Sequence, residues 1–562
     1  MKTIRSFVIM LVFSCFLVFL PNQVVSAAEE SYYDSVSNGE TGSDGYYIVK
    51  ADTVEKIEAA LDEAHKYATV DKPYKIVVKP SDSAYMMDSA FVFYGNTYLY
   101  AQGATFKQIS GTENNMIRVG DSDNVLGYYY KNLVIDGGVW DENNNSNTLA
   151  KIAQVQTITI KYATFKNTKK GHLMEVAGVN GLTIDNCVFQ NQIIPAKGNK
   201  VYEAIQFDVL VNSHMKGYRY QDLATKNVTI TNCSFDNVPR GIGSHTTVLN
   251  NPIDGMTISN NKFTNIKSCA IQFLNIVNCT ISNNTIENSP RGVTIFGAIF
   301  DNQDTYLAKT LSSQGKTTSS TSNKYKKPAA NANIVIENNS IKISGKDPYS
   351  SYERSGILIN GYNAKKQYKS SSGDKIPKGN YYVSGVTITN NTVTGNSHGV
   401  KLVNVRNCKV TNNKLDFTGT MGKVNYYGIQ LKSKSAKVTI TENTINKYLN
   451  GIYVKNAGTD NITNNTVKDV KKYGISIEQS TAAKISNNTV SKVKSNGIHI
   501  WDKSTVKTIS GNKLTSVKVR GIYVGGKSKV TTIKGNTFKS CKVKMFINKD
   551  SKVKNKQKTG KK

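Results

Sequence analysis

GVTITNNTVTGNSHGVKLVN (residues 385–404) contains one complete structural repeat of this chain. Apolar residues alternate with threonines from Val386 to Val393, interrupted by the pair Asn390-Asn391, and a second short alternation follows at Gly399-Val400-Lys401-Leu402. Alternation with period two specifies a half-buried strand, and an asparagine pair between two such runs specifies a bend. The phrase recurs as GLTIDNCVF (181–189), NVTITNCSF (227–235), GMTISNNKF (255–263), CTISNNTI (279–286) and NIVIENNSI (333–341). It continues as CKVTNNKL (408–415), KVTITENTI (437–445), NITNNTV (461–467), AKISNNTV (483–490), VKTISGNKL (506–514) and VTTIKGNTF (530–538).

Strands this short cannot bury their apolar faces singly. Successive repeats must therefore stack, each strand pairing in parallel with its counterpart one coil on. The expected fold is all-β, a single parallel β-helix. The second position of the polar pair reads Cys187, Cys233, Asn261, Asn284, Asn339, Asn391, Asn413, Asn443, Asn465, Asn488, Asn512 and Asn536, while the first admits Glu442, Gly511 and Gly535. The stricter column is expected to turn inward, its asparagines hydrogen-bonded from coil to coil and its two cysteines acting as small fillers.

The 562-residue chain carries 72 Lys and Arg against 40 Asp and Glu, a formal charge of +32. Residues 436–562 hold twenty-seven Lys and Arg against six Asp and Glu, a net +21. Such an excess fits a polyanionic partner, either an acidic polysaccharide or a cell-wall polymer. Nucleic acid is set aside, because no recognition motif accompanies the charge and the chain opens with an export signal. Lys2 and Arg5 precede an apolar run over residues 7–20, and Val25-Ser26-Ala27 offers small residues for cleavage. Residues 1–27 thus read as a signal peptide and the location as secreted or extracellular, including association with the cell wall. No later segment is apolar enough to span a bilayer. Six cysteines remain after cleavage, too few for a disulfide framework in a chain of this length, and they lack the CxxC spacing that would support a zinc cluster.

The expected organisation is a linker over 28–50 and a β-helix over 51–435, then compact Lys-rich coils over 436–550 and a basic tail over 551–562. The 51–435 portion opens with a capping helix running to about Tyr67, N-capped by Asp52 or Thr53. Long inserts at about 190–202, 209–226, 297–331 and 361–382 bring Tyr218 and Tyr220 among other aromatics. They are expected to wall a groove and stack on sugars.

Setting the Gly-apolar strands in register gives three columns. One reads His172, Glu203, Arg240, Cys269, Arg291; the next Glu175, Gln206, Gly243, Gln272, Thr294; the third Ala177, Asp208, His245, Leu274, Phe296. Coils about 4.8 Å apart make Asp208 and His245 neighbours, an expected acid/base pair, and set Glu175 diagonal to Asp208 at roughly 8 Å. Glu175 or Glu203 would be the second carboxylate of a hydrolase, which for inversion wants roughly 6.5–9.5 Å between carboxyls. A lyase would use Arg240 or Arg291 against a uronate carboxylate and His245 or His172 as base. Gln206 and Gln272 flank Gly243, whose missing side chain leaves room for a sugar ring.

The repeat phrase, the N-terminal helix followed by KIVVKPSDSAY and NTYLYAQGATFKQ, and Gly137-Gly138-Val139-Trp140-Asp141 resemble the right-handed parallel β-helix proteins of the pectate lyase superfamily over roughly residues 45–550. The resemblance implies a right-handed coil, work on carbohydrate and calcium as an optional cofactor. The residues themselves require no cofactor, and no compact acidic cluster singles out a metal site. The polygalacturonase-like branch has a Gly-His-Gly turn that Gly243-Ser244-His245 only partly matches, and its Asp-Asp pair and Arg-Ile-Lys segment are missing. No catalytic set carries over residue by residue. The expected function is a secreted protein that binds and cleaves an acidic polysaccharide, as a lyase or glycoside hydrolase. The alternative is a non-catalytic envelope or adhesin-type β-helix that binds anionic wall polymers.

Overall fold

A computed structural model describes residues 32–120, 125–196, 200–210, 215–219, 221, 223–244, 246–249, 251–297, 304–307, 331–365, 367–369, 375–376, 378–420, 422 and 424–558. The expected signal peptide lies outside them. The dominant feature is one 47-stranded parallel sheet wound into coils. Each regular coil gives a strand to each of three faces, as in Val386–Thr389, Thr392–Gly395 and His398–Val403. These pair in parallel with Val405–Thr411, Lys414–Phe417 and Tyr427–Lys432 of the next coil.

The bend between the first two faces explains the polar pair. Its first residue adopts left-handed backbone, φ being 57° at Asn390, 60° at Glu442 and 64° at Gly511. Asparagine and glycine tolerate that region best, which is why this position is loose in side chain yet strict in backbone. Its second residue turns inward. The Asn391 backbone N–H and side-chain Nδ2 both donate to Asn413 Oδ1 at 3.0 Å, and Nδ2 also donates to the Ile336 carbonyl at 2.9 Å. The ladder runs coil by coil from Asn261 to Asn536 and ends on Gln557, whose Oε1 accepts from the Asn536 N–H at 2.9 Å. At the other end Cys233 donates its N–H to Asn261 Oδ1 at 2.9 Å, and the Cys187 N–H reaches Cys233 Sγ at 3.4 Å. Both thiols are free. The ladder therefore satisfies buried backbone donors that the sheet leaves over at each corner.

Around it the core is a stack of Ile, Val and Leu with an aromatic column, Phe165, Phe189, Phe235 and Phe263, whose ring centroids lie 5.1, 4.9 and 4.6 Å apart. Each fully buried aliphatic or Phe side chain contributes about 1.5–3 kcal/mol relative to exposure. At the N-terminal end the helix Val54–Tyr67, capped by the Thr53 hydroxyl accepting from the Lys56 N–H, covers the stack with Ile57, Ala60, Leu61 and Ala64. Trp140 packs as core, stacked on Phe106 at 4.3 Å behind Gly137 and Gly138 (φ 85° and 86°). Coil strands extend past the expected bounds, with Tyr47–Ala51 paired to Tyr74–Val78 and Lys552–Lys556 paired to Lys529–Lys534. No described helix is long and apolar enough to cross a membrane.

Candidate functional site

The third-face strands align the middle column as read from sequence: Glu175 opposite Gln206, Gln206 opposite Gly243, Gly243 opposite Gln272 and Gln272 opposite Thr294. Glu203 stands opposite Arg240, and Arg240 opposite Cys269. Asp208 follows Phe207 on the outward side, and its expected partner His245 lies outside the described residues, as does Tyr220.

The face is not an open groove. Glu175, Gln206, Gln272 and His172 are buried and Glu203 is 0% exposed, although their parity is outward. Two loops form a roof. The 209–226 insert lays Leu210, Met215 and Tyr218 over Ala153 and Ala177. The 344–354 loop, which the sequence did not single out, packs Tyr352 on Leu274 and Phe296. Tyr218 is thus a buried anchor and not a sugar-facing ring. Its hydroxyl donates to the Val119 carbonyl, and the Arg118 guanidinium lies 4.8 Å from its ring centroid.

Under the roof the charges are matched. Arg240 Nη1 donates to Glu203 Oε1. His172 Nδ1 lies 2.9 Å from the Glu203 carbonyl; a carbonyl only accepts, so Nδ1 carries the proton. Glu175 faces Lys151 of the preceding coil at 3.6 Å. Asp208 accepts from Gln206 Nε2 and from the Val209 N–H at 2.7 Å. Arg291, expected as an exposed substrate anchor, is buried and fully engaged: Nε donates to Asp347 Oδ2 at 3.0 Å, Nη1 to Gln272 Oε1 at 3.2 Å and Nη2 to Ser268 Oγ at 3.1 Å. Nor is the glycine gap vacant. A Cβ at Gly243 would meet the Gln272 carbonyl at 2.6 Å and the Glu203 and Arg240 side chains at 3.3 and 3.5 Å. The recess lined by Phe207, Asp208, Thr246 and Leu274 measures about 30 Å³, room for about one water. Among the described residues no group of three or more His, Cys, Asp or Glu is placed to hold a metal ion.

The same middle column continues far beyond Thr294, through Leu358, Lys401, Gln430, Tyr453, Ser476, His499 and Tyr523 to Phe546. At Lys401 the roof ends in a polar knot. Glu353 of the 344–354 loop accepts from His398 Nε2 at 3.0 Å and from Lys401, while His398 Nδ1 accepts from the Tyr427 N–H at 3.2 Å. The His398 hydrogen bond, seconded by Lys401, holds the Glu353 carboxyl well below its usual range. Burial brings His398 down to about 4, so it is neutral at physiological pH.

Beyond the knot the face turns aromatic, its tyrosines half-buried and His499 buried between stacked rings. Tyr427 stacks on Tyr453 at 4.6 Å, Tyr473 on His499 at 3.9 Å and His499 on Tyr523 at 5.1 Å; Phe546 lies parallel to Tyr523 at 6.0 Å. Trp501, on the next outward column, lies 6.1 Å from His499 and is 38% exposed; Phe546 is 43% exposed. Gly525 and Gly526 make room for it, since a Cβ there would meet the indole at 2.9 and 3.0 Å. Sequence reasoning stopped the column alignment at Thr294 and missed this ladder. Carrying the register through the compact coils would have found it.

Repeated coils, three parallel faces and an internal asparagine ladder define a right-handed parallel β-helix protein. Residues 377–538 match the family described as the right handed beta helix region. Plasmin and fibronectin-binding protein A of Streptococcus pneumoniae (strain ATCC BAA-255 / R6) is 26% identical over 333 residues, a match that spans 55% of this chain and 40% of that protein. The solved structure of the S. pneumoniae surface protein and adhesin PfbA is 16% identical, with 93% of this chain and 99% of that one covered at a TM-score of 0.40. The tailspike protein of E. coli bacteriophage HK620 in complex with pentasaccharide is 12% identical, with 86% and 75% covered at a TM-score of 0.39. At these identities the likeness to solved structures is one of fold alone.

Proposed function

We propose that this chain is an extracellular β-helix of adhesin type that binds an anionic polymer at the cell surface and does not cleave it. The observation that carries the reading is the state of the 171–245 patch. Its acidic side chains Glu175 and Glu203 are buried beside Lys151 and Arg240, under a packed insert, with a recess of about 30 Å³ beside Asp208. A hydrolase or lyase needs its acid and base within reach of a bound sugar ring, whereas among the described residues Glu175 and Glu203 are buried against Lys151 and Arg240. The net +21 of residues 436–562 supports a polyanionic partner. The curated relative named for binding plasmin and fibronectin supports binding over catalysis as the class of function.

The test pairs retention with turnover. The secreted protein is incubated with acidic and neutral polysaccharides while reducing ends and unsaturated-uronate absorbance are followed. Binding to the acidic polymers without product release is expected, unchanged in Asp208→Ala. Product release that disappears in Asp208→Ala and His245→Ala would establish the lyase or hydrolase instead.

A further inference from the structure

We propose that the aromatic ladder of the C-terminal coils, Tyr427 to Phe546, is the docking surface for a carboxylated polysaccharide, and this rests on the anionic-polymer reading above. Three observations converge on it. First, the 344–354 loop reaches the third face at the Glu353–His398–Lys401 knot, and beyond it Tyr453, Tyr473 and Tyr523 are half-buried while Trp501 and Phe546 are exposed. From the Tyr427 coil to the Phe546 coil there are five coil steps of about 4.8 Å, roughly 24 Å of strip. Second, the rings stack face to face along the solenoid axis, Tyr473 and His499 being only 9° from parallel. Their edges therefore point to solvent, and the edge of an aromatic ring is its positive rim.

Third, the cations border the rings. The Arg520 guanidinium lies 4.9 Å from the centroids of both Tyr523 and Phe546, and Lys472 lies 5.0 Å from Tyr473. Lys432 and Lys455 head the adjacent column, opposite one another in register. His499 adds no charge, since burial, with Lys472 and Arg520 nearby, brings it down to about 4. One acid interrupts the strip. Glu478 accepts from the Tyr453 hydroxyl at 2.8 Å and from the Ser476 hydroxyl at 3.1 Å. A carboxylate has further lone pairs for a sugar hydroxyl but repels a chain of phosphates. A polymer that carries both hydroxyls and carboxylates satisfies the whole strip, with Arg520 placed for a bidentate pair.

Polygalacturonate is the probe, with neutral dextran and inorganic polyphosphate as comparisons, all on the full secreted chain. Trp501 reports directly: of the two tryptophans, Trp140 is buried on Phe106 and Trp501 is exposed. Polygalacturonate is expected to shield Trp501 from iodide quenching, while dextran does not. Arg520→Gln combined with Lys472→Gln should weaken binding by about a hundredfold, each charge-assisted contact being worth roughly tenfold. Tyr523→Ala with Phe546→Ala should weaken it comparably. Tyr523→Phe, which keeps the ring, checks that any loss is not misfolding. Lys552→Gln, Lys554→Gln and Lys556→Gln together remove more charge from the last coil and should leave affinity within about twofold.

Equal weakening by that control would make the attraction diffuse and overturn the ladder as a site, though the anionic-polymer reading would stand. Tighter binding of polyphosphate would overturn the carboxylate assignment. Failure of the wild-type chain to bind any of the acidic probes would overturn both.

Discussion

Glu142 is the residue at which the folded chain tolerates the least comfortable chemistry. It directly follows the second-face strand Val139–Asp141 and is fully buried, and neither carboxyl oxygen has a hydrogen-bond partner among the described residues. Burial, reinforced by the neighbouring Asp141 charge, pushes its pKa up to about 9 from an ordinary 4.5. The sign follows from proton counting. Between those two values the folded state holds a proton that the unfolded chain has released, so stability is full below about 4.5 and declines as pH rises toward about 9. Glutamine mimics the protonated acid. Glu142→Gln is therefore expected to be more stable than the parent at pH 8 by on the order of a few kcal/mol, with little difference at low pH. Urea midpoints across pH 7–9 check this, in a range where the neutral, buried His398 and His499 contribute little slope. Parallel slopes in parent and variant would refute it.

At the scale of strands and loops, Arg240 and Glu203 show how a patch that reads as catalytic can be structural. They are cross-coil neighbours with side chains 12% and 0% exposed. Removing one partner strands a buried charge, which typically costs about 3–5 kcal/mol, whereas replacing both leaves far less imbalance. Arg240→Ala should lower the thermal midpoint sharply, and Arg240→Ala with Glu203→Gln should recover most of the loss. Polymer binding per folded molecule should be unchanged in both; a selective loss of binding would return this pair to the functional surface. The coil fold was legible because its signals are local: the Asn column at 261–536, the left-handed residue before it and the Gly-apolar strand after it. Parity was legible too, since Glu175, Gln206 and Gln272 do share one column. The roof was not. Arg291 meets Asp347 across 56 residues of sequence, and Tyr218 reaches Val119 across 99. Neither pairing leaves a periodic trace, so outward parity in the sequence does not imply exposure.

Over the whole molecule the solenoid is asymmetric. Its N-terminal coil is closed by a helix, while the last coils present Thr537–Ile547 with nearly every residue exposed or half-buried. In a stack where each coil contacts only its neighbours, stability is a sum of coil and interface contributions, and opening begins where the fewest side chains are buried. Amide exchange should therefore be fastest in Thr537–Ile547 and Lys552–Lys556 and slowest in interior strands such as Met174–Asp185. The proposed docking strip spans that sparsely buried strand, because Tyr523 belongs to the coil beneath and Phe546 to the exposed one. A polymer that binds only the closed arrangement of both must stabilise it by mass action, by about 2.7 kcal/mol when its concentration is a hundred times the dissociation constant. Saturating polygalacturonate should accordingly slow exchange in Lys513–Val524 and Thr537–Ile547 and leave Met174–Asp185 unchanged. Protection confined to the 171–245 patch would place the bound polymer there instead, on the roofed part of the same column.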